Sequence, residues 1–374
     1  MIKIGIIGTG NIGNSHANRL IDGKVPGAEL VAICDTRPAA MNKIKEKLPE
    51  VKTFATATEM MDSGAVDAIV IATPHYDHPI IATEAIQKKI HVMVEKPIGV
   101  YTKSVRELNE LAAQNKDVVY AIMYNQRTDP RYRMMRDMVQ KGEIGEIKRT
   151  SWLITDWYRT QAYYDNGGWR ATWSGEGGGV LINQCPHNLD LWQWICGMPK
   201  RVHAFAHFGK WHNIEVEDDV TAYVEYENGA TGIFVTSTGD MPGNNRFEVL
   251  GDLGKLVCER RSLVFSKLNM SERDYNKNST ESVAAVGTGP AENEKIKADR
   301  IEIECPGENT QWAGVLAAFV EKINGTGELI AKGEEGINGL TISNAMHLSA
   351  WLGKTIELPL DEELFLSELN KRRK

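Results

Sequence analysis

The residues best suited to chemistry begin at the first loop. Gly8-Thr9-Gly10-Asn11-Ile12-Gly13 is a G-x-G-x-x-G behind a short apolar run, and Asp35 ends the next such run, 22 residues after Gly13. Each position has a physical job in holding a dinucleotide. Gly8 permits a tight turn, Gly10 lets the backbone approach a pyrophosphate at a helix N-terminus, and Gly13 lets the helix pack closely on the strand. Asp35 would accept hydrogen bonds from ribose hydroxyls and repel a 2′-phosphate, which favours NAD over NADP. Arg37 works against that preference, because a nearby arginine accommodates the phosphate. A tight turn and a surface aspartate without any ligand is the plainer alternative.

Two further segments carry reactive side chains. Thr73-Pro74-His75-Tyr76-Asp77-His78 follows the third apolar run and should border the cofactor crevice. Thr73, Pro74 and His78 are candidate cofactor contacts, with Glu95, Lys96 and Asn125 further along. Two histidines flanking an aspartate resemble part of a metal site, but neither a third ligand nor a matching cluster lies nearby. A loop and helix cap is the simpler account, and no metal is expected. In Glu95-Lys96-Pro97 the proline holds Lys96 extended. A lysine there could reach both the nicotinamide ribose and a substrate oxygen; by itself the tripeptide fits a surface lysine equally well.

Such side chains need elements to position them. Short, β-branched apolar runs recur at 2–8, 30–35, 68–73, 91–95 and 118–123, as in strands buried on both faces of a parallel sheet. Helical spacing separates them, as at 78–88 and 102–114, with Thr102 as N-cap of the second. This alternation predicts a doubly wound α/β domain over residues 1–124. The boundary falls near Tyr124-Asn125, and 125–374 reads as a second, β-rich domain. In it, 202–208, 220–227, 230–237 and 246–251 cluster β formers around turns. Residues 130–141, roughly 179–196, 311–323 and 336–351 have helical character. The polar stretch 269–300 reads as an exposed excursion.

Composition narrows the function classes. The chain has 374 residues, suited to two domains, with 42% hydrophobic and 25% charged residues, which is globular. A net charge of −7 gives no reason to expect nucleic acid or an anionic membrane as partner. No apolar run approaches the ~20 residues that span a bilayer. Five scattered cysteines, with no C-x-x-C, indicate neither a disulfide framework nor a zinc site. A cytoplasmic protein is the expectation.

The glycine loop, the Thr73–His78 segment and Glu95-Lys96-Pro97 combine with a later stretch, Gly177-Gly178-Gly179 through Asn183, His187 and Asp190. Together they resemble the glucose–fructose oxidoreductase / inositol dehydrogenase (Gfo/Idh/MocA) family over nearly the whole chain. The resemblance implies a Rossmann domain followed by an α+β domain with a large, mostly antiparallel open sheet, and a homodimer or homotetramer. It implies NAD-dependent oxidation of a secondary hydroxyl on a cyclic polyol, sugar or glycoside, with His187 as base and Lys96 as partner of the reacting oxygen. Chemically this is apt: histidine titrates near neutrality, and a buried cation stabilises an oxyanion. An NAD-retaining glycosidase acting by transient oxidation, and a non-catalytic dinucleotide sensor, are the alternatives.

One position departs from the family pattern. Four residues before the histidine, where aspartate is usual, stands Asn183, which cannot supply negative charge to raise histidine basicity. Asp190 is read as helix packing or capping. Seven of nine tryptophans fall between 152 and 211, interleaved with tyrosines. Trp192 and Trp194 read as core. Tyr158, Trp169 and Arg170 are the expected substrate wall, since aromatics suit the apolar faces of a sugar ring.

Overall fold

The computed structural model describes residues 1–166, 168–280 and 295–373. The first domain alternates strand and helix: β1 (Ile2–Ile7), α1 (Asn11–Ile21), β2 (Ala28–Cys34), α2 (Asn42–Lys47), β3 (Lys52–Phe54) and α3 (Ala57–Asp62). It continues through β4 (Ala68–Ile71), α4 (Asp77–Gln87), β5 (His91–Val94), α5 (Thr102–Gln114) and β6 (Tyr120–Ile122). All six strands are parallel, in the order β3-β2-β1-β4-β5-β6. The strand order reverses between β1 and β4, so a crevice opens at their carboxyl ends. The glycine loop and the Thr73–His78 segment both lie there.

The second domain opens with α6 (Pro130–Gln140), β7 (Ile147–Ile154), α7 (Gln161–Asp165), α8 (Val180–Asn183) and α9 (Pro186–Cys196). Strands β8 (Arg201–Phe208), β9 (Glu217–Glu225), β10 (Thr231–Ser237), β11 (Asn245–Gly251), β12 (Gly254–Glu259) and β13 (Ser262–Leu268) follow. The chain ends with α10 (Glu272–Asn278), β14 (Ala298–Glu302), α11 (Gln311–Ile323), α12 (Gly336–Leu352), β15 (Ile356–Glu357) and α13 (Glu362–Asn370). Among the described residues the sheet has nine strands, ordered β14-β13-β12-β11-β7-β10-β9-β8-β15, with only the β7–β10 pair parallel. One face is closed by α9 and α12. There Trp192 stacks on Phe234 at 5.3 Å and Trp152 on Phe247 at 4.2 Å, all four fully buried.

Three expectations change. Thr102 is not the N-cap of α5: Tyr101 holds that position, and the Thr102 N–H donates instead to Asn344 Oδ1 on α12 at 3.2 Å. A tertiary partner has replaced the local cap. The helix expected over 179–196 is two, broken before Pro186, which has no N–H to continue the first. The exposed excursion carries regular elements: α10 lies within 269–300 and β14 begins there, neither with a buried residue, while 281–294 lie outside the described residues.

Helix α11 returns to the first domain. Its Val315, Leu316, Phe319 and Val320 pack into one buried cluster with Ile4, Ile6, Met93 and Met123 of the parallel sheet. The Ile122 N–H donates to Ala331 just beyond it at 3.3 Å. Among the described residues, no helix is long and apolar enough to cross a membrane.

Candidate active site

The glycine loop is shaped by what a side chain would strike. A Cβ on Gly13 would lie 1.9 Å from the Gly8 carbonyl oxygen, so only glycine lets α1 start this close to β1. A Cβ on Gly10, in contrast, would meet nothing within 4 Å. That empty ground lies where Gly10 heads α1 with no side-chain cap. The N–H groups of Asn11 and Ile12 begin the helix there, ready for an anion. Asp35 accepts from the Thr9 N–H at 2.9 Å, the Thr9 hydroxyl at 3.0 Å and the Arg37 N–H at 2.9 Å. Burial alone would raise its pKa, but these bonds outweigh burial and hold the carboxyl below its usual range. The exposed Arg37 guanidinium lies 3.5 Å away, near enough to pair with Asp35. Thr73 Oγ1 and Asn125 Oδ1 are buried without a partner among the described residues, and both are expected cofactor contacts. An open cradle, a fixed acid and unpartnered polar atoms fit a dinucleotide.

His78 takes a different part from the one expected. Its two ring nitrogens face the carbonyls of Pro97 at 2.7 Å and Thr73 at 2.9 Å. It clamps the end of β4 to the Glu95–Pro97 turn and has no ring nitrogen left for a ligand. The Asn125 amide nitrogen is likewise engaged, by Gln311.

Glu95 is buried and pairs with His16 of α1 at 2.7 Å. The sequence reading passed over His16. Its signal was a polar residue on the buried stripe of Gly13, Ala17 and Leu20. Burial tends to raise the Glu95 pKa, but the bond to His16 and the nearby charges of His16 and Lys96 reverse this and lower it.

Lys96 and the segment around His187, far apart in sequence, meet here. Lys96 Nζ donates to the Asn183 carbonyl at 2.7 Å. Burial lowers its pKa, opposed by Glu95 and Glu176 and reinforced by Arg170 and Arg159. His187, near the start of α9, is pushed down to about 3 by burial and then by the charge of Lys96. The expected titration near neutrality is thus not met: burial keeps the ring neutral, able to receive a proton but a weaker base than a free imidazole, with Nδ1 buried and without a partner among the described residues. Tyr124 packs edge-on against it at 6.0 Å.

The turn before α8 is fixed by Glu217. That carboxylate accepts from Gly179 N–H at 2.9 Å and Leu181 N–H at 3.0 Å, and a Cβ on Gly179 would sit 2.0 Å from the Glu217 carbonyl oxygen. Asn183, at the end of α8, directs its side-chain amide to Glu176, which is 1% exposed. The other Glu176 oxygen accepts from the Ala171 N–H at 2.7 Å. Glu176 was not legible as a site residue.

Of the expected wall, two members reach the site. Trp169 meets His75 edge-to-face at 5.2 Å, and His75 Nδ1 lies 3.0 Å from the Glu176 carbonyl. Arg170 lies over Tyr163 at 5.0 Å, with Arg159 also 5.0 Å from that ring. Tyr158 makes no such ring contact; it is 38% exposed in the irregular run 155–160 that follows β7. Tyr163 is the tyrosine that supports the arginines. Asp190 is packing: Arg127 grips it through two bonds, at 2.6 and 2.8 Å, deep in the core. Among the described residues no cluster of His, Cys, Asp or Glu has the makings of a metal site.

The family comparison matches this geometry in both halves. Residues 2–123 match the "Oxidoreductase family, NAD-binding Rossmann fold", and residues 132–257 the "GFO/IDH/MocA C-terminal domain". The chain belongs to the Gfo/Idh/MocA family of oxidoreductases. Its first domain binds NAD. Myo-inositol 2-dehydrogenase of Thermotoga maritima is 25% identical over 267 residues, covering 69% of this chain and 75% of that protein. The rhizopine catabolism protein MocA of Rhizobium meliloti is 28% identical over 195 residues, 52% of this chain and just 57% of its own length. Among solved structures, the WlbA dehydrogenase of Bordetella pertussis, bound to NADH and UDP-GlcNAcA, superposes with a TM-score of 0.78 at 25% identity. That match covers 96% of this chain and 98% of the other.

Proposed function

We propose that this oxidoreductase oxidises a secondary hydroxyl of a cyclic polyol, sugar or glycoside. The reading rests on one observation: Lys96 reaches the Asn183 carbonyl and bears on His187, so a base and a cation from opposite domains converge over the crevice. Bound NAD supplies the hydride acceptor. The substrate hydroxyl must lose its proton as hydride leaves carbon. His187, neutral and buried, accepts that proton, while the Lys96 ammonium stabilises charge developing on oxygen. Asn183 hydrogen-bonds a substrate hydroxyl, and Trp169 with Arg170 forms the wall. The polyol and sugar relatives support the substrate class.

The test is absorbance at 340 nm with NAD or NADP and a panel of inositols, free sugars and aryl glycosides, with aglycone assayed in parallel. Sustained NADH is the expected result, and aglycone release without NADH would replace the reading. His187→Ala should lower kcat by about 10²–10⁴-fold; unchanged turnover would overturn its role as base.

We place self-association on the outer face of the second sheet. Phe205, Tyr223 and Ile233 are exposed there on the neighbouring strands β8, β9 and β10, with Leu250 exposed on β11 beyond β7, and an apolar face of this kind suits a second copy. Light scattering should give a dimer or tetramer; a monomer would remove the proposal.

A further inference from the structure

The motif that lost its aspartate has a carboxylate one residue further from the substrate. Glu176 lies in the loop before the glycine run, with one oxygen on the Ala171 N–H and the other on the Asn183 amide. A carboxylate accepts hydrogen bonds and a carboxylic acid can also donate one. The Asn183 amide has an accepting oxygen and a donating NH₂, and which end turns outward is decided by its partner. Asn183 is half-buried at the end of α8, beside Lys96.

We infer that the protonation state of Glu176 sets which end of the Asn183 amide meets the substrate, making Glu176 a positioning residue that discriminates alcohol from ketone. This rests on the reading above that Asn183 touches the reacting sugar. With Glu176 ionised, the amide NH₂ donates to Glu176, and Oδ1 faces the cleft as a second acceptor for the alcohol O–H, which it shares with His187 in a three-centre bond before the proton passes to the histidine. With Glu176 protonated, its O–H donates to Oδ1. The amide turns over, and the NH₂ faces the cleft as a donor to the ketone carbonyl. Only a proton moves: it leaves the Glu176 carboxyl for bulk solvent when the alcohol binds, and returns when the ketone binds.

The surroundings poise the carboxyl for this. Burial raises its pKa to about 7, opposed by the bonds from Ala171 and Asn183 and by Arg170, and reinforced by Glu217. Several other ionisable groups face it. Lys96 comes from the turn after β5, His75 from the turn after β4, and Tyr164 from α7. Glu215 anchors the same loop through Trp173, and His347 of α12 lies against Gly178. His75 is held well below its usual value by burial and its cationic neighbours, and His187 is pushed down to about 3. Neither histidine titrates near neutrality.

The test is calorimetric, on complexes that cannot react. The alcohol is titrated into enzyme loaded with NADH and the ketone into enzyme loaded with NAD, each in two buffers of different ionisation enthalpy. The probes are myo-inositol and its 2-ketone, or whichever panel alcohol yields NADH together with its own ketone. Near pH 7 the alcohol should release, and the ketone take up, about half a proton. E176Q keeps the Ala171 bond and turns its NH₂ to Asn183, so it mimics the protonated state. It should exchange no proton through this site and bind the alcohol roughly tenfold more weakly, with ketone affinity held at the low-pH wild-type level. N183A, which has no amide to turn, should also show no such exchange. Proton exchange of the same sign for both probes, or exchange that survives in E176Q or N183A, would overturn the inference. No NADH from any member of the panel would instead remove the substrate reading beneath it.

Discussion

Glu95 and Glu176 both act on Lys96 and both are almost wholly buried, yet their surroundings drive them in opposite directions. Glu95 has His16 at 2.7 Å and Lys96 beside it, so its charge is matched within the cofactor domain and its pKa falls. Glu176 has an amide and a peptide N–H as its nearest partners, which donate hydrogen bonds but carry no net charge, and burial raises it to about 7. Burial alone does not determine a carboxyl's state; the charge of its first neighbour does. One glutamate has its charge stabilised and opposes the lowering of the Lys96 pKa, and the other is left free to titrate.

The comparison can be broken most forcefully at the cation the two acids share. Lys96→Met should reduce kcat for NADH formation by about 10²–10³-fold. A fall of less than threefold would mean that neither glutamate acts through Lys96. The next largest effect is on stability. His16→Ala leaves Glu95 buried without its partner and should lower urea stability by about 3 kcal/mol. Removing the amide partner of Glu176, in N183A, should cost only about 1 kcal/mol, because that acid can take up a proton instead. Equal losses would erase the distinction.

The pH dependence of stability sharpens it further. Glu176 is raised when folded, so its contribution is fully present below its ordinary value of 4.5 and is lost as pH rises toward 7. E176Q should therefore gain on wild type across that window, by on the order of 3 kcal/mol, and level off above it. Glu95 is depressed when folded, so its contribution is present above its ordinary 4.5 and is lost as pH falls through the lower folded value. E95Q should trail wild type at neutral pH and draw level in acid. Denaturation series at several pH values read both trends. The smallest effect concerns the third acid: Asp35→Ala should raise the NADP-to-NAD ratio of kcat/KM by roughly tenfold, since a like charge facing the 2′-phosphate is removed.

These acids also mark how far the sequence could be read. The glycine loop and Asp35 were legible from local spacing, a turn and a strand end, whereas Lys96 and His187 stood out only through the family resemblance, since a lysine before proline suits a surface and a lone helix histidine suits a core equally well. The parallel sheet was legible from runs of apolar residues. His16 and Glu176 were not, because a polar residue announces itself as buried only once its partner is in place, and those partners lie 79 and 7 residues away. The same reason hid the roles of Asn344 in capping α5 and of His78 as a clamp. For Tyr158 the sequence lacked a direction: composition placed the aromatic segment near the site, but the path of the irregular run 155–160 decides where each ring faces.

The return of α11 has a consequence for how the molecule is made. The cofactor domain leaves the ribosome before α11 does, yet part of one face of its sheet, beside α1 and α2, is covered by residues near position 320. At about 5–20 residues per second, the ~200 residues in between take on the order of 10 s or longer to synthesise. Throughout that interval Ile4, Ile6 and Met123 lack their final cover. The nascent first half therefore carries an incompletely covered core, and a gene cut after the last parallel strand would leave the seat of α11 on that sheet open to water.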